Sequence, residues 1–238
     1  MAPSQNLVIE NLAAGYGSQC VLEIRRLEIE PASVTGLVGS NGSGKSTLLK
    51  AISGHVGYSG TISWDGHALR AGSPWNRLTS GIGILFQENF AFGELSVEDN
   101  LRFLADRMGV RWNWLREEYR MWLPGDGRWK RQAGLLSEGQ KKRIAIAMVL
   151  AAKPRLLLLD EPSANLDPES RVHLAQQIRE RARQGATVIT AEQDLEFLCG
   201  ILGASDRVFG MTEGTICHVR TYNERNLMEA CASGRCGF

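Results

Sequence analysis

An α/β fold with a mainly parallel sheet and one helical insert is predicted by three features of the sequence. Apolar runs of strand length alternate with runs of helical spacing. The run Leu156–Leu159 is apolar without alternation, as in a strand covered on both faces. Between two such regions, Ser96–Arg128 carries helical spacing over a long span.

In chain order, Asn6–Glu10 and Cys20–Glu30 read as strands, with Leu22 and Ile24 alternating against Val21, Glu23 and Arg25. Val34–Val38 is a short apolar run ending in glycine. A glycine-rich loop follows, then Ser46–Ser53 with helical spacing at Leu48, Leu49 and Ile52. Gly60–Trp64 and Ile82–Phe86 are further strands between turn residues. The insert has Leu101, Leu104, Ala105 and Met108 on one helical stripe, and Ser96 with Asp99 as a cap. Its tryptophans, Trp112, Trp114, Trp122 and Trp129, suit either a partner surface or the insert's own core. Gln140–Ala152 and Glu169–Gln184 are helices, Thr187–Thr190 is a strand, and Leu227–Ala230 is a last helical turn.

Composition narrows the class. Apolar residues make up 43% and charged residues 22%, which fits a folded globular chain. The net charge of +1, from 27 basic and 26 acidic residues, offers no electrostatic reason to expect nucleic acid. The longest apolar run, Ile144–Ala152, falls short of the roughly 20 residues that span a bilayer. Met1–Glu10 lacks a basic leader and an apolar stretch, so a cytoplasmic location is expected. The 5 cysteines include no Cys-x-x-Cys pair, so reduced thiols are expected; Cys231 and Cys236 are a weak candidate metal or redox pair.

Gly39-Ser40-Asn41-Gly42-Ser43-Gly44-Lys45-Ser46 matches G-x-x-x-x-G-K-[ST] at every fixed position, between a strand and a helix. Glycines let successive N–H groups turn toward one anion, and the helix N-terminus adds partial positive charge. Lys45 brings a full charge to the β- and γ-phosphates. The Ser46 hydroxyl can ligate Mg²⁺, and Thr47 can donate to phosphate. The run Leu156–Leu159 ends in Asp160-Glu161, placing two carboxylates at the carboxyl end of a strand, where ligands sit in open α/β sheets. Asp160 is the candidate metal ligand; Glu161, beyond it, can polarise an attacking water.

With these motifs in place, the chain resembles the ABC ATPase family. Leu136-Ser137-Glu138-Gly139-Gln140 is similar to the family signature L-S-G-G-Q, Phe86-Gln87 to the Q-loop, and Ser163-Ala164-Asn165-Leu166-Asp167 to the D-loop. The resemblance implies one domain over 5–238. Its P-loop NTPase core has a mainly parallel sheet, with an N-terminal antiparallel β subdomain. Core and β subdomain together would cover about 5–87 and 136–220, and a helical subdomain about 88–135. It also implies ATP and Mg²⁺ as cofactors. Tyr16 would stack on adenine, Gln87 would sense Mg²⁺ and the γ-phosphate, and Ser137, Gly139 and Gln140 would face the γ-phosphate held by a second subunit. A homodimer or heterodimer with a second ABC ATPase then closes over two nucleotides. Integral membrane permease subunits would hold the chain at the inner face of the membrane, with no nucleic acid among its partners. The runs Gly81–Asn100 and Glu192–Leu198 are most similar to cassettes of branched-chain amino acid or related polar-solute importers. A non-transport ABC ATPase, such as an iron–sulfur assembly scaffold, and a regulatory ATP-binding module stand as alternatives.

Two positions depart from the family pattern. Glu138 replaces the signature's first glycine and is expected to point outward, since Ser137 and Gly139 are retained. Gln193 stands where the family has a switch histidine; its amide can donate to phosphate but carries no charge, so slow turnover is expected.

Overall fold

In a computed structural model, residues 6–72, 74, 81–86, 92–123 and 129–221 are described. Two sheets organise them. The first is antiparallel and runs β2 (Gln19–Ile29), β1 (Leu7–Tyr16), β4 (Tyr58–Trp64), β5 (His67–Ala68). The second has six strands in the order β10 (Thr215–Thr221), β9 (Arg207–Thr212), β3 (Val34–Val38), β8 (Thr187–Ala191), β7 (Leu156–Asp160), β6 (Ile82–Leu85). All its pairings are parallel except β9 with β10.

The parallel sheet is legible because β3, β7 and β8 are buried at every position. Helices cover both faces, so no residue of these strands meets water and no alternation is needed. On one face lies a core with α1 (Lys45–Ile52), which packs Leu48, Leu49 and Ile52 against Leu156, Leu158 and Ile189. The opposite face packs Leu157, Leu159 and Val188 against α4 (Glu138–Ala151), α5 (Pro168–Arg183) and α6 (Leu195–Ile201).

Several features differ from expectation. β1 runs on to Tyr16 instead of stopping at Glu10. Its buried positions are Leu7 and Ile9, then Leu12 and Ala14, so the two-residue phase slips in the middle. Asn11 stands there at φ 49, and a Cβ on the facing Gly60 would meet the Asn11 carbonyl oxygen at 2.2 Å. A bulge of this kind breaks the alternation without ending the strand. α4 begins at Glu138, two residues before the expected start, because Ser137 caps it. Finally, α6, β9 and β10 follow β8 in a region where no element was anticipated.

The insert is helical where described, as α2 (Val97–Met108) and α3 (Trp112–Trp122). Ser96 caps α2, accepting from the Asp99 N–H at 3.1 Å. Trp122 and Trp129 are buried and Trp112 is partly so; the Tyr119 and Trp129 rings lie 4.1 Å apart. These three tryptophans build the insert's core, and Trp114 remains 50% exposed. A buried ion pair, Arg181 with Glu118 at 3.7 Å, fastens the insert to α5. The last helical turn expected at Leu227–Ala230, and the pair Cys231 and Cys236, lie outside the described residues. Cys20 and Cys217 are exposed free thiols.

Candidate nucleotide site

The glycine-rich loop connects β3 to α1 at the carboxyl end of the parallel sheet, as the strand–loop–helix order predicts. Gly42 (φ 81) and Gly44 (φ 101) adopt backbone that L side chains rarely reach, and a Cβ on Gly44 would also meet Leu22 Cδ2 at 2.6 Å. The loop is wound tightly enough for the Ser43 N–H to donate to Ser40 O at 3.1 Å. Lys45 folds back over it, Nζ donating to Gly39 O at 2.7 Å and to Ser40 O at 2.9 Å. Burial lowers the Lys45 pKa, while Glu161 and Asp160 pull it back up. Ser40, Asn41 and Gly42 are exposed, whereas Ser43 and Thr47 are buried beneath them.

Asp160 ends β7, 3% exposed, and its Oδ1 accepts from the Ser46 hydroxyl at 2.9 Å. Desolvation raises its pKa, and the Ser46 bond opposes that shift. Glu161 follows at φ 45, a left-handed conformation unusual for a non-glycine residue. Its N–H is held by Ala191 O at 2.8 Å, at the end of the neighbouring strand. The side chain thereby meets Gln193, whose Nε2 donates to Glu161 Oε1 and, at 2.7 Å, to Asn41 Oδ1. One glutamine amide thus joins the phosphate loop, the acidic strand end and the turn after β8.

Ser137 and Gln140 form a capping box. The Gln140 N–H donates to Ser137 Oγ at 3.3 Å, and the Ser137 N–H donates to Gln140 Oε1 at 3.1 Å. The Gln140 side chain is therefore engaged with its own helix. Glu138 points outward and pairs with Lys141 at 2.8 Å, as expected. Tyr16 closes β1 with half its surface exposed, 52%. Gln87 lies outside the described residues. Within one chain, the bonds of Ser137 and Gln140 run to each other and not to the phosphate loop.

Several supporting residues escaped the sequence reading. The β9–β10 hairpin braces the phosphate loop: Gly214 donates to Ser43 O at 3.1 Å, and a Cβ on Gly39 would strike Met211 O at 2.3 Å. Glu192 and Lys142 are each 3% exposed beneath the site. Glu192 opens the run 192–198 and Lys142 follows the signature-like stretch, but a charged residue at a helix start or strand end carries no sequence signal of burial.

The ABC transporter family model matches residues 22–164, more than half of the 238. The chain is 32% identical over 208 residues to the linearmycin resistance ATP-binding protein LnrL of Bacillus subtilis, covering 84% of this chain and 66% of that protein. It is 34% identical over 221 residues to the energy-coupling factor transporter ATP-binding protein EcfA of Pediococcus pentosaceus, covering 87% and 76%. A solved ATP-binding subunit of an ABC transporter shares the fold, with TM-score 0.79 and 24% identity over 98% of this chain and 95% of that one. Strand order, phosphate loop and matched family model agree, and the chain belongs to the ABC transporter family as an ATP-binding, ATP-hydrolysing cassette.

Proposed function

We propose that the chain powers transport by closing as a dimer over two Mg-ATP molecules, and that Gln193 holds the hydrolytic geometry in each site. The carrying observation is the Gln193 amide, which reaches Asn41 of the phosphate loop and Glu161 at the end of β7. In this reading the amides of 39–47 and Lys45 bind the phosphate tail, and Tyr16 stacks on adenine. Glu161 orients and deprotonates the attacking water. Gln193, uncharged, steadies Glu161 and donates toward the γ-phosphate.

Ser46 and Asp160 suit magnesium: they offer hard oxygens 2.9 Å apart, and this ion is held by one or two protein ligands plus substrate phosphates. Bound there, it would neutralise charge on the phosphates; Gln87 is the further candidate ligand. Ser137 and Gly139 begin α4 with a helix N-terminus suited to the γ-phosphate of a second copy. Among the described residues no helix is long and apolar enough to cross a membrane. A separate permease would provide the pathway, select the cargo and hold the chain at the inner membrane face.

Glu161→Gln tests the core of this reading. With saturating Mg-ATP, the variant is expected to elute as a dimer in size-exclusion chromatography while hydrolysing at least about a hundredfold more slowly. Lys45→Ala is expected to stay monomeric. A Glu161→Gln protein that hydrolyses like wild type, or never dimerises, would sink the proposal.

A further inference from the structure

Glu192 lies one residue before Gln193 and is almost fully enclosed. Its carboxylate takes three backbone N–H groups. Oε1 accepts from Gln193 at 2.9 Å and Asp194 at 3.1 Å, and Oε2 accepts from Ser163 at 3.3 Å. Two oxygens therefore join the turn that carries Gln193 to the first residue of the 163–167 loop, 29 positions away in sequence. On the other side of the β7 terminus, Lys142 rises from α4 just past the Ser137 cap. Its Nζ sits 3.4 Å from the carbonyl oxygens of both Phe86 and Asp160. Phe86 is the residue before Gln87.

A carboxylate and an ammonium this deeply buried are costly unless each is compensated. Here the compensation is specific. Glu192 is met by three amide dipoles and by the field of Lys142, while Lys142 is met by two carbonyls and by the charges of Asp160, Glu192 and Glu161. The hydrogen-bonding anchors, the N–H groups of 163, 193 and 194 and the carbonyls of 86 and 160, all belong to segments that border the nucleotide site.

We infer that Glu192 and Lys142 are positioning residues for hydrolysis: together they clamp the Gln193 turn, the 163–167 loop, the Asp160 end of β7 and the Phe86 approach into one rigid frame beneath the nucleotide. The inference rests on the assignment of Glu161 and Gln193 to the γ-phosphate side of the site. Glu192 acts through Gln193 and Ser163, and Lys142 acts through the Asp160–Glu161 backbone. Neither touches substrate.

The test uses the full chain with Glu192→Gln, Lys142→Met, the double variant and the Glu161→Gln control. A glutamine has one acceptor oxygen where the carboxylate has two, so one of the three N–H groups loses its partner. For Glu192→Gln, kcat is expected to fall about tenfold, the scale of one charge-assisted hydrogen bond. KM for Mg-ATP should stay within about twofold and Tm at neutral pH should not drop. The double variant is expected to lose less than the product of the two single losses, because each removal relieves the other's uncompensated charge.

An unchanged kcat overturns the inference, as does a parallel fall of kcat, KM and Tm, which marks a purely structural role. Multiplicative losses in the double variant remove Lys142 from it. Should Glu192→Gln not fold, hydrogen exchange on the wild-type chain decides. Amides of Ser163, Gln193 and Asp194 must be protected, and free exchange there overturns the clamp. If Glu161→Gln retains full turnover, the site assignment fails instead; if it abolishes turnover while Glu192→Gln does nothing, only the clamp fails.

Discussion

A methyl group on Gly139 would stand 2.5 Å from the carbonyl oxygen of Asn165. The first turn of α4 therefore packs directly on the 163–167 loop of the same chain. Asn165 itself sits at φ 61, and Arg143, one turn along α4, pairs with Asp167 at 3.2 Å. Gly139 has a packing reason of its own: nothing larger fits against that backbone. The loop is thus gripped at both ends, by α4 near Asn165 and Asp167 and by Glu192 at Ser163.

Gly139→Ala tests that contact. Steric overlap with a backbone carbonyl cannot be relieved by a rotamer change, so the loop must move, at a cost of about 1–3 kcal/mol. ATP binding by the chain's own phosphate loop should be nearly unchanged, whereas steady-state hydrolysis should fall about tenfold or more. Binding measured by a fluorescent ATP analogue beside a phosphate-release assay separates the two.

Gln193 offers a substitution in each direction. Gln193→Ala removes both bonds, to Asn41 and Glu161, and should lower kcat about tenfold with little change in nucleotide affinity. Gln193→His supplies a donor that can also carry charge, and steady-state turnover should rise above wild type. Equal rates for wild type and the histidine variant would show that charge at this position is irrelevant in this chain.

Ser137→Ala removes the capping hydroxyl of α4. The loss of an N-cap costs about 1 kcal/mol, or roughly 2–4 °C in melting temperature for a chain of this size. Differential scanning calorimetry reads that shift without nucleotide. ATP-driven dimerisation of the Glu161→Gln protein should weaken further when Ser137→Ala is added, since the same hydroxyl would face the partner's γ-phosphate.

Glu118 is enclosed between α3 and α5, accepting from Trp122 Nε1 at 3.3 Å and pairing with Arg181. Removing one partner strands the other charge, so Glu118→Ala should cost about 3 kcal/mol. Urea unfolding followed by tryptophan fluorescence is the natural probe, because Trp122 reports on this junction.

Burial raises the pKa of Glu192, opposed by backbone hydrogen bonds from Asp194, Gln193 and Ser163 and by the Ser163 side chain. The folded protein thus holds the proton to higher pH than the unfolded chain does. Between the two pKa values the native state binds more protons, so this group's stabilising contribution is complete in acid and is lost as pH rises through the folded value. Relative to Glu192→Gln, wild type should therefore lose stability as pH climbs from about 4 toward neutrality, the ordinary carboxylate range and above. Denaturation midpoints of both proteins across that range check the sign; a gap that moves the other way would mean the amide dipoles outweigh desolvation.

Local chemistry alone determined much of this protein. The glycine spacing around Lys45, the apolar strand ending in Asp160-Glu161 and the signature before α4 each specify a local geometry, because each lies in one contiguous stretch. Those stretches identified the family and the parallel core. Tertiary structure alone decided what lies between them. The bulge at Asn11 carried β1 past its apparent end, and the β9–β10 hairpin closed over the phosphate loop. Glu192 met Ser163, Gln193 met Asn41 across 152 positions, and Lys142 turned inward beneath Asp160. The physical reason is common to all of them. A hydrogen bond or buried charge between distant segments depends on where the sheet brings their backbones, and no periodicity or local propensity in either segment encodes its partner.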